Sequence, residues 1–167
     1  MRIHSFPPIA NADSRVLILG TMPGVESLRR QEYYAHPQNA FWKIMGDILR
    51  IAPDSAYAVR TSALAASGLA LWDVLKACSR VGSLDSNIDS RSEAPNDFER
   101  FFADHPRIHT ICFNGAKARA LFLKHVRPGP GKPSMFKHIP LPSTSPANAS
   151  ISLAQKRLAW KTALRDV

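Results

Sequence analysis

Four short stretches of this chain combine residue types that could do chemistry: Gly20-Thr21-Met22-Pro23-Gly24, Ala35-His36-Pro37-Gln38-Asn39-Ala40-Phe41-Trp42, Asn114-Gly115 and Ser143-Thr144-Ser145-Pro146-Ala147-Asn148. The first, third and fourth hold few titratable groups, which argues against nucleophilic or paired-carboxylate catalysis, since both need an acid or a base in place. They offer amides, hydroxyls and backbone N–H groups instead. Such a set suits reading the hydrogen-bonding edge of a nucleobase and stabilising a leaving group that departs with negative charge. Tyr33 and Tyr34 stand beside the first stretch and could supply a stacking face.

The elements that must position these residues can be read from apolar spacing. Arg15-Val16-Leu17-Ile18-Leu19 reads as a buried strand ending at Gly20, and open α/β sheets place ligands at the carboxyl ends of such strands. Residues 20–37 read as a long polar binding loop. Pro37 suits a first helical turn; Ala40, Phe41, Ile44, Met45, Ile48 and Leu49 then form one apolar stripe, which puts Asn39 at the helix start. Pro53-Asp54 begins a second helix that runs through Ala56, Val59 and Leu64 to a stop at Gly68. Residues 68–75 are too apolar for a surface loop and are placed under the active face. Residues 79–96 read as irregular, with Asp85 and Asn87 either solvated or closing over the site.

Residues 95–105 read as a helix with Phe98, Phe101 and Phe102 inward, and residues 108–113 as a buried strand. A helix over 116–126 leads to a stiff basic linker, Pro128-Gly129-Pro130-Gly131-Lys132-Pro133, then a short strand over 136–141. The last helix, 152–167, is expected to bury Leu153, Leu158 and Leu164 and to expose Lys156, Arg157, Lys161 and Arg165. This alternation implies the α/β class: a single three-layer domain spanning residues 1–167, with a mostly parallel central sheet and helices on both faces. The three strand-end loops should converge on one edge.

Twenty-two Lys and Arg against 13 Asp and Glu give a formal charge of +9 and a pI near 10.1. Such a balance favours a polyanionic partner, nucleic acid first. Arg29, Arg30, Lys117, Arg127, Lys132 and Lys137 are expected to flank the loops and meet phosphates. No membrane role is expected, because the most apolar stretch, 63–78, is interrupted by Ser67, Gly68 and Asp73. The amino terminus lacks the apolar core of a secretory signal, so a cytoplasmic, reducing setting is expected. Cys78 and Cys112 are too few for a thiolate metal tetrad and read as core; neither metal nor cofactor is expected.

Taken in order, Gly-Thr-Met-Pro-Gly, Ala-His-Pro-Gln-Asn-Ala-Phe-Trp, Phe-Asn-Gly and Ser-Thr-Ser-Pro-Ala-Asn resemble the motifs of the uracil-DNA glycosylase superfamily along nearly the whole chain. The second motif, with Leu71-Trp72-Asp73-Val74 and Ser83-Leu84-Asp85-Ser86-Asn87-Ile88, is most similar to the branch that excises hypoxanthine from deoxyinosine. Mismatch-specific uracil glycosylases are the nearest cousins. The resemblance implies a uracil-DNA glycosylase-like fold and a monofunctional, monomeric enzyme of base excision repair, acting on DNA containing deaminated bases and leaving an abasic site.

By the same resemblance, Asn39 directs the hydrolytic water, since Met22 occupies the place where mismatch-specific relatives carry an Asn and a thioether cannot hold a water. Gly20, Thr21, Met22, Pro23, Tyr34 and Asn114 would bind the flipped base, Asn114 reading it bidentately through its amide. Ser143, Thr144, Ser145, Pro146, Ala147, Asn148, Lys117 and Lys132 would contact DNA, with Pro146 or Ala147 filling the gap left in the duplex. Ser143 stands where several branches carry a His, which counts against strong uracil activity. Each residue also has a plainer reading: Asn39 as a helix cap, Asn114 as a turn with Gly115, the hydroxyls of 143–148 as partners of loop backbone. The rival readings are a mismatch-specific uracil or thymine glycosylase and a non-catalytic nucleic-acid-binding domain of the same fold. A small-nucleotide-binding domain ranks last, because the phosphate fingerprint is missing.

Overall fold

The structure, a computed structural model, describes residues 1–126 and 136–165. In chain order its strands are β1 (Arg2–His4), β2 (Val16–Gly20), β3 (Leu69–Asp73), β4 (Leu75–Ser79), β5 (Ala94–Pro95), β6 (Thr110–Asn114) and β7 (Lys137–Leu141). Its helices are α1 (Val25–Arg30), α2 (Phe41–Leu49), α3 (Tyr57–Ala66), α4 (Phe98–Asp104), α5 (Ala116–His125) and α6 (Leu153–Ala163). Strands β3-β2-β6-β7 form a parallel sheet, and β1-β4-β5 a small antiparallel one.

Every residue of β2, β3 and β6 is buried, as continuous apolar runs must be when a parallel sheet is covered on both faces. Alternate residues divide between two cores. Leu17, Leu19, Ile111 and Phe113 face Phe98 and Phe101 of α4 and Leu121 and Phe122 of α5. Val16, Ile18 and Cys112 face Phe41 and Ile44 of α2, Leu64 of α3 and Trp160 of α6. Each fully buried Leu, Ile or Phe contributes about 1.5–3 kcal/mol, so this inside-out alternation fixes the strand register.

Several sequence expectations are corrected. The apolar stretch 68–75 is a strand: Leu69–Asp73 pairs in register with Val16–Gly20, and the chain turns at Val74 into β4 of the second sheet. The small sheet had no expectation, because its strands are short and lack a clear alternation. Residues 20–37 include α1, whose Glu26 carboxylate accepts from Arg29 and Arg30 at 2.6 and 2.7 Å. Helix α2 begins at Phe41, with Pro37 in the preceding turn, and α3 begins at Tyr57.

Helix α6 buries a different face from the expected one. Lys156, Trp160 and Leu164 point inward, while Leu153 is partly exposed and Leu158 is 69% exposed. An indole outweighs a leucine in buried area, and Trp160 also packs edge-on against Phe41 and donates to the Pro142 carbonyl at 3.0 Å. The linker 128–133 lies outside the described residues.

Candidate active site

Because the four strands run parallel, the carboxyl ends of β2, β3, β6 and β7 open on the same side. A cavity of about 810 Å³ lies there, lined by the 20–24 loop, Tyr34, Asn39, Asp73, residues 83–85, Asn114 and the 140–148 segment. The sequence-selected loops therefore converge, as expected from their positions after strands.

Asn39 reaches the cavity wall half-buried, one turn ahead of α2. Its Oδ1 accepts the Phe41 N–H at 2.9 Å, a local side-chain turn just ahead of α2, whose N-cap is Ala40 and carries no side-chain cap, so the plain capping reading does not hold. A carbonyl oxygen has two lone pairs, and one hydrogen bond leaves the second free. Neighbouring His36 is exposed and accepts the Gln38 N–H through Nδ1.

Asn114, at the end of β6, is buried and grips the last loop. Its Nδ2 donates to Thr144 Oγ1 and its Oδ1 accepts the Thr144 N–H, both at 2.9 Å. The edge expected to read a base with two hydrogen bonds is thus committed to Thr144. Thr144 itself is 1% exposed and accepts the Ala40 N–H through its carbonyl at 3.0 Å, tying β6, the last loop and the start of α2 to each other. Its hydroxyl is thereby turned away from any phosphate.

The rest of the 143–148 loop is internally bonded. Ser143 Oγ accepts the Ser145 N–H, Ser145 Oγ accepts the Ala147 N–H, and Asn148 Nδ2 donates to the Ser143 carbonyl. Buried Lys156 donates to the Ser145 carbonyl at 3.2 Å, an anchor that the sequence reading had placed outside. Pro146 and Ala147 are left exposed at the tip. Gly115 has φ +94, and a Cβ there would lie 3.1 Å from Ser143 Cβ, so glycine is required where the two loops meet.

The first loop turns its backbone to the cavity. Met22 buries its side chain in the core beside Trp72, and the Thr21 and Met22 N–H groups carry no hydrogen bond among the described residues. Pro23 is held from below by Arg80, whose fully buried guanidinium donates to the Pro23 and Gly82 carbonyls and lies 3.6 Å from Asp85. The sequence reading missed Arg80; a lone Arg after an apolar run carries little signal. Ser83, Leu84 and Asp85 line the cavity, so the 83–85 stretch belongs to the site, while Asn87 is exposed. Burial raises the Asp85 carboxyl above its ordinary range, against the lowering effects of Thr21, Arg80 and Lys117.

Gly20, Tyr34 and Asp73 form the cavity floor. A Cβ at Gly20 would stand 2.6 Å from Asp73 Oδ1 and 2.7 Å from Tyr34 Oη, so only glycine permits this approach. Tyr34 adopts φ +56, an uncommon backbone for a bulky side chain, and stacks on Phe41 with ring centroids 4.2 Å apart. Its Oη is buried with no hydrogen-bond partner among the described residues. Asp73 was read from sequence as an interruption of an apolar stretch and as part of the Leu71-Trp72-Asp73-Val74 resemblance, without a role of its own. Burial pushes its carboxyl up to about 7, although the Ser5 hydroxyl donates to Oδ2 at 2.7 Å. An acid closing a run of apolar strand residues, opposite a motif glycine, was the available signal.

The expected cations divide. Lys117 is exposed in the first turn of α5 and close enough to influence Asp85. Arg29 and Arg30 pair with Glu26, and Lys137 opens β7 at the end of the sheet away from the cavity. Arg127 and Lys132 lie outside the described residues. Among the described residues no three His, Cys, Asp or Glu side chains gather to hold a metal, and no helix is long and apolar enough to cross a membrane.

Comparison with known proteins agrees with this arrangement. The family model of the uracil DNA glycosylase superfamily matches residues 7–165. A hypoxanthine DNA glycosylase of Methanosarcina acetivorans is 40% identical over 116 residues, covering 69% of this chain and 72% of the relative. A hypoxanthine DNA glycosylase of Methanosarcina barkeri is 37% identical over 119 residues, covering 71% and 74%. The solution structure of a Methanosarcina acetivorans protein described as a uracil DNA glycosylase superposes with a TM-score of 0.79 at 34% identity, covering 99% of this chain and 98% of that one. With its parallel sheet, its motif loops at one cavity and a family match along nearly its whole length, this chain belongs to the uracil DNA glycosylase superfamily.

Proposed function

We propose that this DNA glycosylase, a hydrolase of N-glycosyl bonds, removes hypoxanthine from deoxyinosine in DNA, with uracil a secondary substrate, and leaves an abasic site. The observation that carries the reading is Asn39 on the cavity wall with one lone pair of Oδ1 taken by the Phe41 N–H and the other free. A water accepted there is aimed at C1′ of the flipped nucleotide. An amide is no base, so its work is positioning, and its bond to the first residue of α2 holds it still. The Thr21 and Met22 N–H groups, with the backbone of Gly20 and Pro23, cradle the base edge. Asn114 supplies one contact at most and braces the last loop through Thr144. Tyr34 offers the ring face opposite Phe41 for stacking.

The exposed tip at Pro146 and Ala147 fits the gap in the duplex, and Lys117, Ser143, Ser145 and Asn148 meet the backbone around it. The preference for hypoxanthine follows the relatives that carry that name. The chain works as one domain and as a monomer, inside the cell where genomic DNA lies.

Single-lesion oligonucleotides containing deoxyinosine, deoxyuridine or deoxyxanthosine, scored for abasic sites, test the reading. Deoxyinosine is expected to be cleaved fastest. Asn39→Ala is expected to lose on the order of 10²-fold or more in single-turnover rate with DNA binding retained. Cleavage of uracil alone, or none at all, sinks the proposal.

A further inference from the structure

We infer that Asp73 is a further catalytic residue, the acid that protonates N7 of the departing purine as the glycosidic bond breaks. The inference rests on the hypoxanthine reading above. It starts from position: Asp73 closes β3 in register with Gly20, its carboxyl is 3% exposed, and it lines the floor of the cavity. Oδ2 is occupied by the Ser5 hydroxyl, whereas Oδ1 faces the space over Gly20 beside Tyr34 Oη. The nearby cation does not claim it, because the Arg80 guanidinium lies against Asp85 at 3.6 Å.

The chemistry of the leaving group asks for such an acid. Uracil can depart as an anion held by N–H groups, which is what the 20–24 loop offers. A purine leaves more readily after N7, the most basic ring nitrogen, has taken a proton. None of the loop amides can supply one. Of the other carboxyls at the cavity, Glu26 is held at about 2 by its hydrogen bonds to Arg29 and Arg30, and so is ionised. Asp85 sits half-exposed against Arg80.

Asp73 is poised near neutrality, about 7, chiefly because it is buried. Facing it are Ser5 from the amino-terminal segment, Tyr33 and Tyr34 from the turn before α2, Tyr57 from α3, and Arg80 and Asp85 after β4. Of these, Ser5 and Arg80 lower its pKa and Asp85 raises it.

The step balances without a cofactor. The Asp73 O–H proton passes to N7, the C1′–N9 bond breaks with its electron pair going to the base, and hypoxanthine leaves neutral with hydrogen on N7. The water positioned by Asn39 adds its oxygen to C1′ and releases a proton to solvent. Solvent then reprotonates the Asp73 carboxylate.

The test compares the parent and Asp73→Asn on duplexes bearing deoxyinosine or 7-deaza-deoxyinosine, in single turnover from pH 5 to 9, with binding to an uncleavable 2′-fluoro-arabino deoxyinosine duplex as control. Asparagine keeps the shape and the Ser5 contact but has no acidic proton. The parent rate on deoxyinosine is expected to fall above pH 7, and the variant to be at least 100-fold slower at pH 6, with no alkaline fall and unchanged binding. On the 7-deaza base the two proteins should be equally slow at every pH. An unchanged rate and pH profile in the variant overturns the role of Asp73 and leaves the hypoxanthine reading standing. So does a 7-deaza base that the parent removes as fast as hypoxanthine. A parent inactive on deoxyinosine defeats the reading beneath the inference.

Discussion

At the scale of single residues, this site makes each polar group serve twice. Asn39 holds the Phe41 N–H and lines the cavity; Asn114 and Thr144 satisfy one another and so fix the last loop; Asp73 closes a strand and floors the pocket. Burying an ionisable carboxyl has a thermodynamic signature. The Asp73 carboxyl moves from 3.8 to about 7 on folding, so between these values the folded chain holds a proton that the unfolded chain has lost. The contribution of Asp73 to stability therefore falls as pH rises from about 4 to 7, and levels off above. Asp73→Asn removes this dependence. The variant is expected to be more stable than the parent at pH 8, by a margin on the order of 4 kcal/mol, and to lose that advantage at pH 4; denaturation across the pH range measures it. A difference between parent and variant that does not grow over that window would contradict the protonated buried acid.

At the scale of elements, the first loop depends on a residue far along the chain. Arg80 brings its buried guanidinium to the carbonyls of Pro23 and Gly82 and to Asp85, joining the segment after β4 to the loop after β2. Arg80→Met fills much of the same space but leaves these acceptors without a donor. A loss of about 2–3 kcal/mol is expected from the denaturant midpoint, together with a fall in excision rate, because the Thr21 and Met22 N–H groups would no longer be held in place. Helix α6 shows the same dependence on neighbours. Its leucines suggested one face, yet Trp160 against Phe41 and Lys156 against Ser145 turned the helix to another.

At the scale of the whole molecule, a formal charge of +9 sets the interaction with DNA. Affinity for undamaged duplex is expected to fall at least tenfold between 50 and 200 mM salt, and Lys117→Gln to reduce the slope of log affinity against log salt by about one; fluorescence anisotropy titrations decide this. The sequence by itself determined the α/β class, the parallel sheet, the convergence of the motif loops and the family. Each of these rests on local patterns, apolar runs ending in glycine or asparagine, that any parallel sheet carries to one edge. Only the tertiary structure decided that Leu69–Asp73 is a strand of the parallel sheet, that Asn114 spends its amide on Thr144, and that Arg80 and Lys156 are buried anchors. A continuous apolar run has no period to tell strand from buried helix, and a lone polar residue in the sequence does not show which distant carbonyl or hydroxyl it will meet. The same holds for Asp73, whose acidity comes from burial among segments distant in sequence, near Ser5, Tyr34 and Asp85.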